Sequence, residues 1–197
     1  MRVRDPDSKK RQLLTAALTE FAAHGLSGGR IDAIARGAGC SSGLVYTYFG
    51  SKEGLFDAVL AFIAESAVAG IPIKGDDLPG YAERLHQGNQ DHPEVVRFVT
   101  WYQLERDPGA DAPPMPDDTV KHKIDVVRQA QADGLVRDDI PAPTLVLAVQ
   151  AIARMWATHP RSTLDAIDPT ADPELRREAV RSAVQALIAV PGPPGAL

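Results

Sequence analysis

Apolar residues recur every third or fourth position through successive stretches of the chain, the period of helices that bury one face. Leu14, Ala17, Leu18 and Phe21 fall at i, i+3, i+4 and i+7, and predict a first helix from Lys9 that Gly25 ends. Residues 1–8 are polar and carry Pro6, so a frayed start is expected. Ile31, Ile34 and Ala35 share one face of a short second helix, with Asp32 and Arg36 on its wet side. Gly39 supplies a sharp turn. Ser41 is placed to cap a third helix in which Leu44, Val45 and Phe49 pack down, while Ser42, Gly43, Tyr46, Thr47 and Tyr48 face outward. Two short helices across a glycine-bearing turn read as a helix-turn-helix over about residues 31–50.

The same period continues. A fourth helix starts near Ser51 and runs through Leu55, Phe56, Val59, Leu60, Phe62 and Ile63, longer than a three-helix head needs and therefore a lever into the rest of the chain. After a loop at residues 71–77, helices are predicted at 78–90 and 93–106. The second of these carries Val95, Val96, Phe98, Val99, Trp101, Tyr102 and Leu104, apolar almost all round, so it is expected at the centre of a body. Residues 107–116, rich in proline and small residues, read as a mobile loop. Val120, Ile124, Val127 and Ala130 mark a helix at about 117–133 that Gly134 closes. Pro143 opens a helix with Leu145, Val149, Ile152 and Trp156 on one stripe, and Pro160 stops it. Pro173 opens the last, with Ala179, Val180, Ala183, Val184, Leu187 and Ile188. These two stripes are broader than one internal contact requires, and their alanines permit close approach, so a four-helix bundle between two copies is expected. The fold class is all-α, with a head at residues 1–50, a helical body at 51–190 and a flexible tail at 191–197.

Composition adds limits. With 197 residues, 44% hydrophobic and 24% charged, the chain can bury a core without metals or disulfides. Its one cysteine, Cys40, excludes an internal disulfide and reads as a small apolar plug in the turn. A membrane span and a signal-type apolar block are both missing from the pattern, so a cytoplasmic protein is expected. The net charge of −5 is unevenly distributed: residues 1–55 hold eight Lys/Arg against five acids, and the remainder thirteen against twenty-one. A small basic head on an acidic body lets only the head approach phosphate.

The outward residues of the third helix carry the chemistry. A phenol donates to a phosphate oxygen while its ring packs on the sugar, Gly43 lets the backbone come close to a polyanion, and Lys52 adds a point charge at the start of a helix. That combination predicts a surface that docks on DNA. The set Phe21, Gly25, Ile34-Ala35, Ala38-Gly39-Cys40-Ser41-Ser42-Gly43, Tyr46-Thr47-Tyr48-Phe49, Lys52-Glu53 and Leu55 resembles the N-terminal domain of the TetR family of transcriptional repressors, over roughly residues 9–60. The resemblance implies phosphate contacts from Tyr46, Tyr48 and Lys52, and base or groove contacts from Ser42, Gly43 and Thr47. Gly29 stands where the family usually has a threonine that caps the second helix and touches phosphate, a contact for which Arg30 is the substitute. Cys40 takes the usual valine position.

In that family the C-terminal domain holds an effector pocket, for which Phe98, Trp101, Tyr102, Met155 and Trp156 are the candidate lining, with Gln103, Glu105, His122 and Arg128 as polar partners. The implied partners are a palindromic double-stranded operator, a small-molecule effector and a second copy of the chain, and the implied function is repression relieved by that effector. An activator, a regulator without a ligand, and a small-molecule-binding or enzymatic helical protein with a vestigial head remain open. The five histidines show no HxxxH or HExxH spacing, and there is no P-loop, GxSxG or GxGxxG. No metal, cofactor or catalytic residue is therefore expected, nor is an enzyme.

Overall fold

The first helix breaks where its glycine predicts. In the computed structural model, which describes residues 6–106, 117–170 and 172–191, α1 (Pro6–Gly28) leaves helical geometry at Gly25, where φ is +68°. It begins three residues before Lys9; the expected loop at 107–116 and almost all of the expected tail lie outside the described residues. The regular structure among the described residues is entirely helical. After α1 come α2 (Ile31–Gly37), α3 (Ser42–Phe49), α4 (Lys52–Gly70), α5 (Leu78–Asp91), α6 (Pro93–Glu105), α7 (Asp117–Ala132), α8 (Ala142–Arg154), α9 (Arg161–Ile167) and α10 (Pro173–Ile188). A single 3-10 turn, Met155–Ala157, follows α8.

Packing groups these helices differently from a cut by role at residue 50. One compact unit comprises residues 1–67 and 93–116, and the other residues 68–92 and 117–197. The helix expected at the centre of the body, α6, thus packs with α1 in the first unit. The reason is aromatic: Phe98 and Tyr102, one turn apart, meet Phe56 of α4 with ring centroids 4.8 and 5.2 Å away, and Phe56 meets Phe21 of α1 edge-on at 5.0 Å. Leu13, Leu14, Ala17 and Leu18 of α1, Ile34 and Ala35 of α2, and Val45 of α3 complete this core.

In the second unit α5 packs on α8 and α10, and α7 on α8. Its core is aliphatic, built on Leu78, Val127, Leu145, Val149, Val180 and Val184 around Tyr81. Asp77 caps α5 by accepting from the Gly80 N–H at 3.0 Å and also accepts from Arg84. Arg181 of α10 pairs with Glu83 of α5 at 2.6 Å. The stripe of α8 ends earlier than Pro160 predicts, because the 3-10 turn takes over at Met155; α9, seven residues long, was not expected at all.

Candidate nucleic-acid interface

Backbone geometry at the turn sets the angle of α3. The Cys40 N–H donates to Ala35 O at 2.9 Å and the Gly39 N–H to Arg36 O at 3.1 Å, with Gly39 at φ +61°, so α2 ends in a left-handed glycine cap. Lys9 of α1 donates from Nζ to Ala38 O (2.8 Å) and Gly39 O (3.4 Å). This cation at the start of α1 thereby satisfies carbonyls at the end of α2, where the helix dipole favours positive charge. The Ser41 side chain makes no capping bond, contrary to expectation. Its neighbour instead ties the two helices together, Ser42 Oγ donating to Asp32 Oδ1 at 2.5 Å.

On α3, Val45 is buried and Leu44 and Phe49 are half-buried, as the apolar spacing predicts. Tyr46 stands 51% exposed, the most open aromatic ring among the described residues, and a phenol so placed can reach a phosphate. Gly43 and Thr47 are exposed on the same helix, and a Cβ on Gly43 would meet nothing nearer than Ser41 Oγ at 4.0 Å, so its backbone is accessible. Thr47 Oγ1 donates to Gly43 O at 3.0 Å, which orients its hydroxyl and leaves its oxygen as the free acceptor. Tyr48 is not outward: it is half-buried against the core and tilted on Phe49 at 6.0 Å, because it precedes the last apolar anchor.

Arg30 is the N-cap residue of α2, with an exposed side chain and a backbone N–H that donates to Glu20 Oε1 at 3.0 Å. Lys52, at the start of α4, donates from Nζ to Ser27 O at 3.2 Å. The helix it opens is capped by Ser51, whose Oγ accepts from the Gly54 N–H at 2.9 Å. Sequence reasoning missed what lies behind Lys52. The Glu105 carboxylate of α6 accepts from the Leu26 and Ser27 N–H groups; these bonds and the nearby Lys52 charge outweigh the effect of burial and hold Glu105 below the usual carboxylate range. Glu105 lies 79 residues from Leu26 in sequence, too far for any local spacing to signal the contact. A polar groove of about 1010 Å³ also runs along α1 and α2, lined by Arg11, Gln12, Thr15, Thr19 and Glu20 among others, and none of the sequence-predicted site residues borders it.

The surrounding sequence matches known proteins. Residues 13–59 match bacterial regulatory proteins of the tetR family, and residues 77–185 match the tetracyclin repressor-like C-terminal domain. The HTH-type transcriptional repressor SCO4008 of Streptomyces coelicolor is 36% identical over 160 residues, 80% of this chain and 82% of that protein. The chain belongs to the TetR family. It is a DNA-binding transcriptional repressor with the helix-turn-helix of that family. The NicS repressor of Pseudomonas putida is 28% identical over 85% of both chains. Among solved structures, the transcriptional regulator SCO4942 of Streptomyces coelicolor superposes with a TM-score of 0.78 at 32% identity, over 93% of this chain and 99% of that one. These relatives are transcriptional regulators rather than enzymes.

Against the TetR pattern, Gly29 has a local cause. A Cβ there would lie 2.6 Å from the Phe21 ring and 2.9 Å from Gly25 O, so the space a threonine needs is already filled. Cys40 is half-buried against the core, as a plug under α3.

The five candidate effector residues divide between the two units. Phe98 and Tyr102 are built into the aromatic core of the first unit, and Trp101 packs over Gly25. Their i, i+3, i+4 spacing reports the face that α6 turns to α1 and α4. Met155 and Trp156 belong to the second unit, where the Arg176 guanidinium lies 4.9 Å over the Trp156 ring. Arg176 Nε donates to Asp168 Oδ2 at 2.6 Å. Beside them His86, only 3% exposed, meets the Ala153 carbonyl. Its Nδ1 and the Trp156 Nε1 are buried without a partner. Burial holds the His86 imidazole below its ordinary value, and Arg176 adds to this, so the ring is neutral near pH 7.

Proposed function

We propose that this repressor acts in the cytoplasm as a homodimer that reads a palindromic operator and leaves it when a small molecule binds the body. By role, residues 1–50 form the DNA-binding head and residues 51–190 the effector and dimerisation body. The observation that carries the reading is the exposed Tyr46 above the open Gly43 backbone and Thr47 on α3. Tyr46, Arg30 and Lys52, with the edge of Tyr48, would hold phosphates and set register, while Ser42, Gly43 and Thr47 reach base edges in the major groove.

Dimerisation is supported by the outer faces of two helices. Leu147 and Ala151 on α8, and Leu175, Ala179, Ala183 and Ala186 on α10, are exposed at helical spacing and offer a small-residue apolar surface to a second copy. Two recognition helices ~34–36 Å apart then match successive turns of one face of the duplex. No helix among the described residues is long and apolar enough to cross a membrane.

For the effector, the second unit supplies Met155 and Trp156 together with the unpartnered Trp156 Nε1 donor and His86 Nδ1 acceptor. Such a pair suits a small planar molecule carrying both a hydrogen-bond acceptor and a donor. Coupling of about 1–3 kcal/mol between the sites lowers operator affinity roughly 5–150-fold. The test begins with DNA from around the protein's own coding region and a random-sequence library. Wild type is expected to select a palindrome with dimer stoichiometry and a steep salt dependence, and Tyr46→Phe to bind it about 5–10-fold more weakly. A salt-independent interaction, or a Tyr46→Phe variant of undiminished affinity, removes the phosphate assignment.

A further inference from the structure

Three segments of the first unit meet at Ser27. Its N–H donates to Glu105 Oε1 at 3.0 Å, and its carbonyl accepts from Lys52 Nζ at 3.2 Å; the Leu26 N–H also donates to the Glu105 carboxylate. The approach is close enough to dictate the residue beneath it. A Cβ on Gly25 would lie 2.7 Å from Glu105 Oε2 and 2.9 Å from Trp101 Cε3. One residue further on, Arg106 donates from Nε to Asp57 Oδ1 of α4 at 2.9 Å, and the Tyr102 hydroxyl donates to the same oxygen at 3.1 Å. The end of α6 and Arg106 therefore grip both the end of α1 beyond its break at Gly25, the connector that leads into α2, and the helix that Lys52 opens. Along the chain, α6 is flanked on both sides by residues of the second unit, 68–92 and 117–197.

We propose that Glu105 is a positioning residue for DNA binding, fixing the Leu26–Ser27 connector and, through Ser27, the point at which the Lys52 ammonium meets a phosphate. This rests on the reading of α3 and Lys52 as the DNA face. The ammonium has three donors, of which one is engaged by Ser27 O and two are left for a phosphate. With Glu105 in place the connector is ordered before DNA arrives; without it the Lys52 side chain must be ordered on binding, at an entropic cost. A purely electrostatic role predicts the reverse sign, since removing an acid near DNA strengthens association.

The experiment uses the full-length protein and an operator obtained by selection from a random-sequence library, with affinity measured across ~50–200 mM salt. Glu105→Gln is expected to bind about 5–10-fold more weakly and to reduce the slope of log K against log salt by about one, matching Lys52→Ala. In the Lys52→Ala background Glu105→Gln should add less than about twofold, since coupled residues are not additive. Glu53→Gln strips an exposed carboxylate next to Lys52 and outside these contacts, and should bind as well as wild type or more tightly. If Glu105→Gln fails to fold by circular dichroism, Glu105→Asp replaces it, with an affinity expected between wild type and Lys52→Ala. Wild-type affinity in the Glu105 variant, tighter binding, or a loss that adds fully to that of Lys52→Ala overturns the proposal while leaving the DNA reading intact. Absence of any salt-dependent binding by wild type overturns the DNA reading, and this proposal with it.

Discussion

The first unit closes its core with rings and the second with branched aliphatic side chains, and their polar groups differ in the same sense. Around Phe21, Phe56, Phe98 and Tyr102 the partly buried polar groups find partners: Asp57 takes Tyr102 and Arg106, and Glu105 takes two backbone N–H groups. In the second unit Arg84 Nε, His86 Nδ1 and Trp156 Nε1 are buried and unpaired; among the described residues every such side-chain atom falls in that unit. A recognition helix must be held in one orientation, and directional ring packing with satisfied polar groups does that. A regulated body needs the opposite, groups whose best partner arrives from outside, and each unpaired buried atom is a stability penalty that a ligand can remove.

This contrast can be broken at its strongest point first. Phe56→Ala opens the centre of the ring cluster and is expected to cost about 3–5 kcal/mol by urea unfolding, with loss of operator binding. An equal loss of stability with operator binding intact would show that the ring cluster does not orient α3. Trp156→Phe keeps most of the aromatic surface but deletes the unpaired N–H, so stability should hold or rise by about 1 kcal/mol while response to the effector falls. A large destabilisation would mean that the indole N–H already has a partner in solution. The smallest effect concerns pH. Because the His86 pKa is lowered from 6.5 in the fold, the unfolded chain takes up its proton first. The stabilisation is complete above about pH 6.5 and is lost as the pH falls through the lower folded value. His86→Gln should flatten stability between about pH 7 and 5 relative to wild type, measured by thermal unfolding.

The helix-turn-helix was legible because its determinants are local. Ile31, Ile34 and Ala35 mark a face, Gly39 a left-handed turn, and Val45 the anchor of α3; each is signalled by residues within a turn or two of itself. The failures share the opposite property. Ser41 and Ser42 are equally good caps by type, and only the position of Asp32 across the turn decides that Ser42 is the one engaged. Phe98, Trp101 and Tyr102 announce an apolar face without saying that its partners are Phe21 and Phe56, 77 and 42 positions before Phe98. α9 buries no residue fully, so it leaves no stripe to read. Glu105 had the look of a polar residue beside a pocket, whereas its bonds tie it to the Leu26 and Ser27 N–H groups just past the break in α1.

The path of the chain through the two units limits how this protein can be cut and recombined. Residues 93–105 are threaded into the first unit after the chain has already left it at residue 67. A DNA-binding module excised at residue 67 would leave Phe56 without Phe98 and Tyr102, Asp57 without Arg106, and Leu26 and Ser27 without Glu105; one excised at residue 50 would lose Phe56 and Asp57 as well. The transferable cassette is therefore discontinuous. A chimera that exchanges operator specificity between relatives has to carry α6 along with the head, or restrict the exchange to the outward residues of α3.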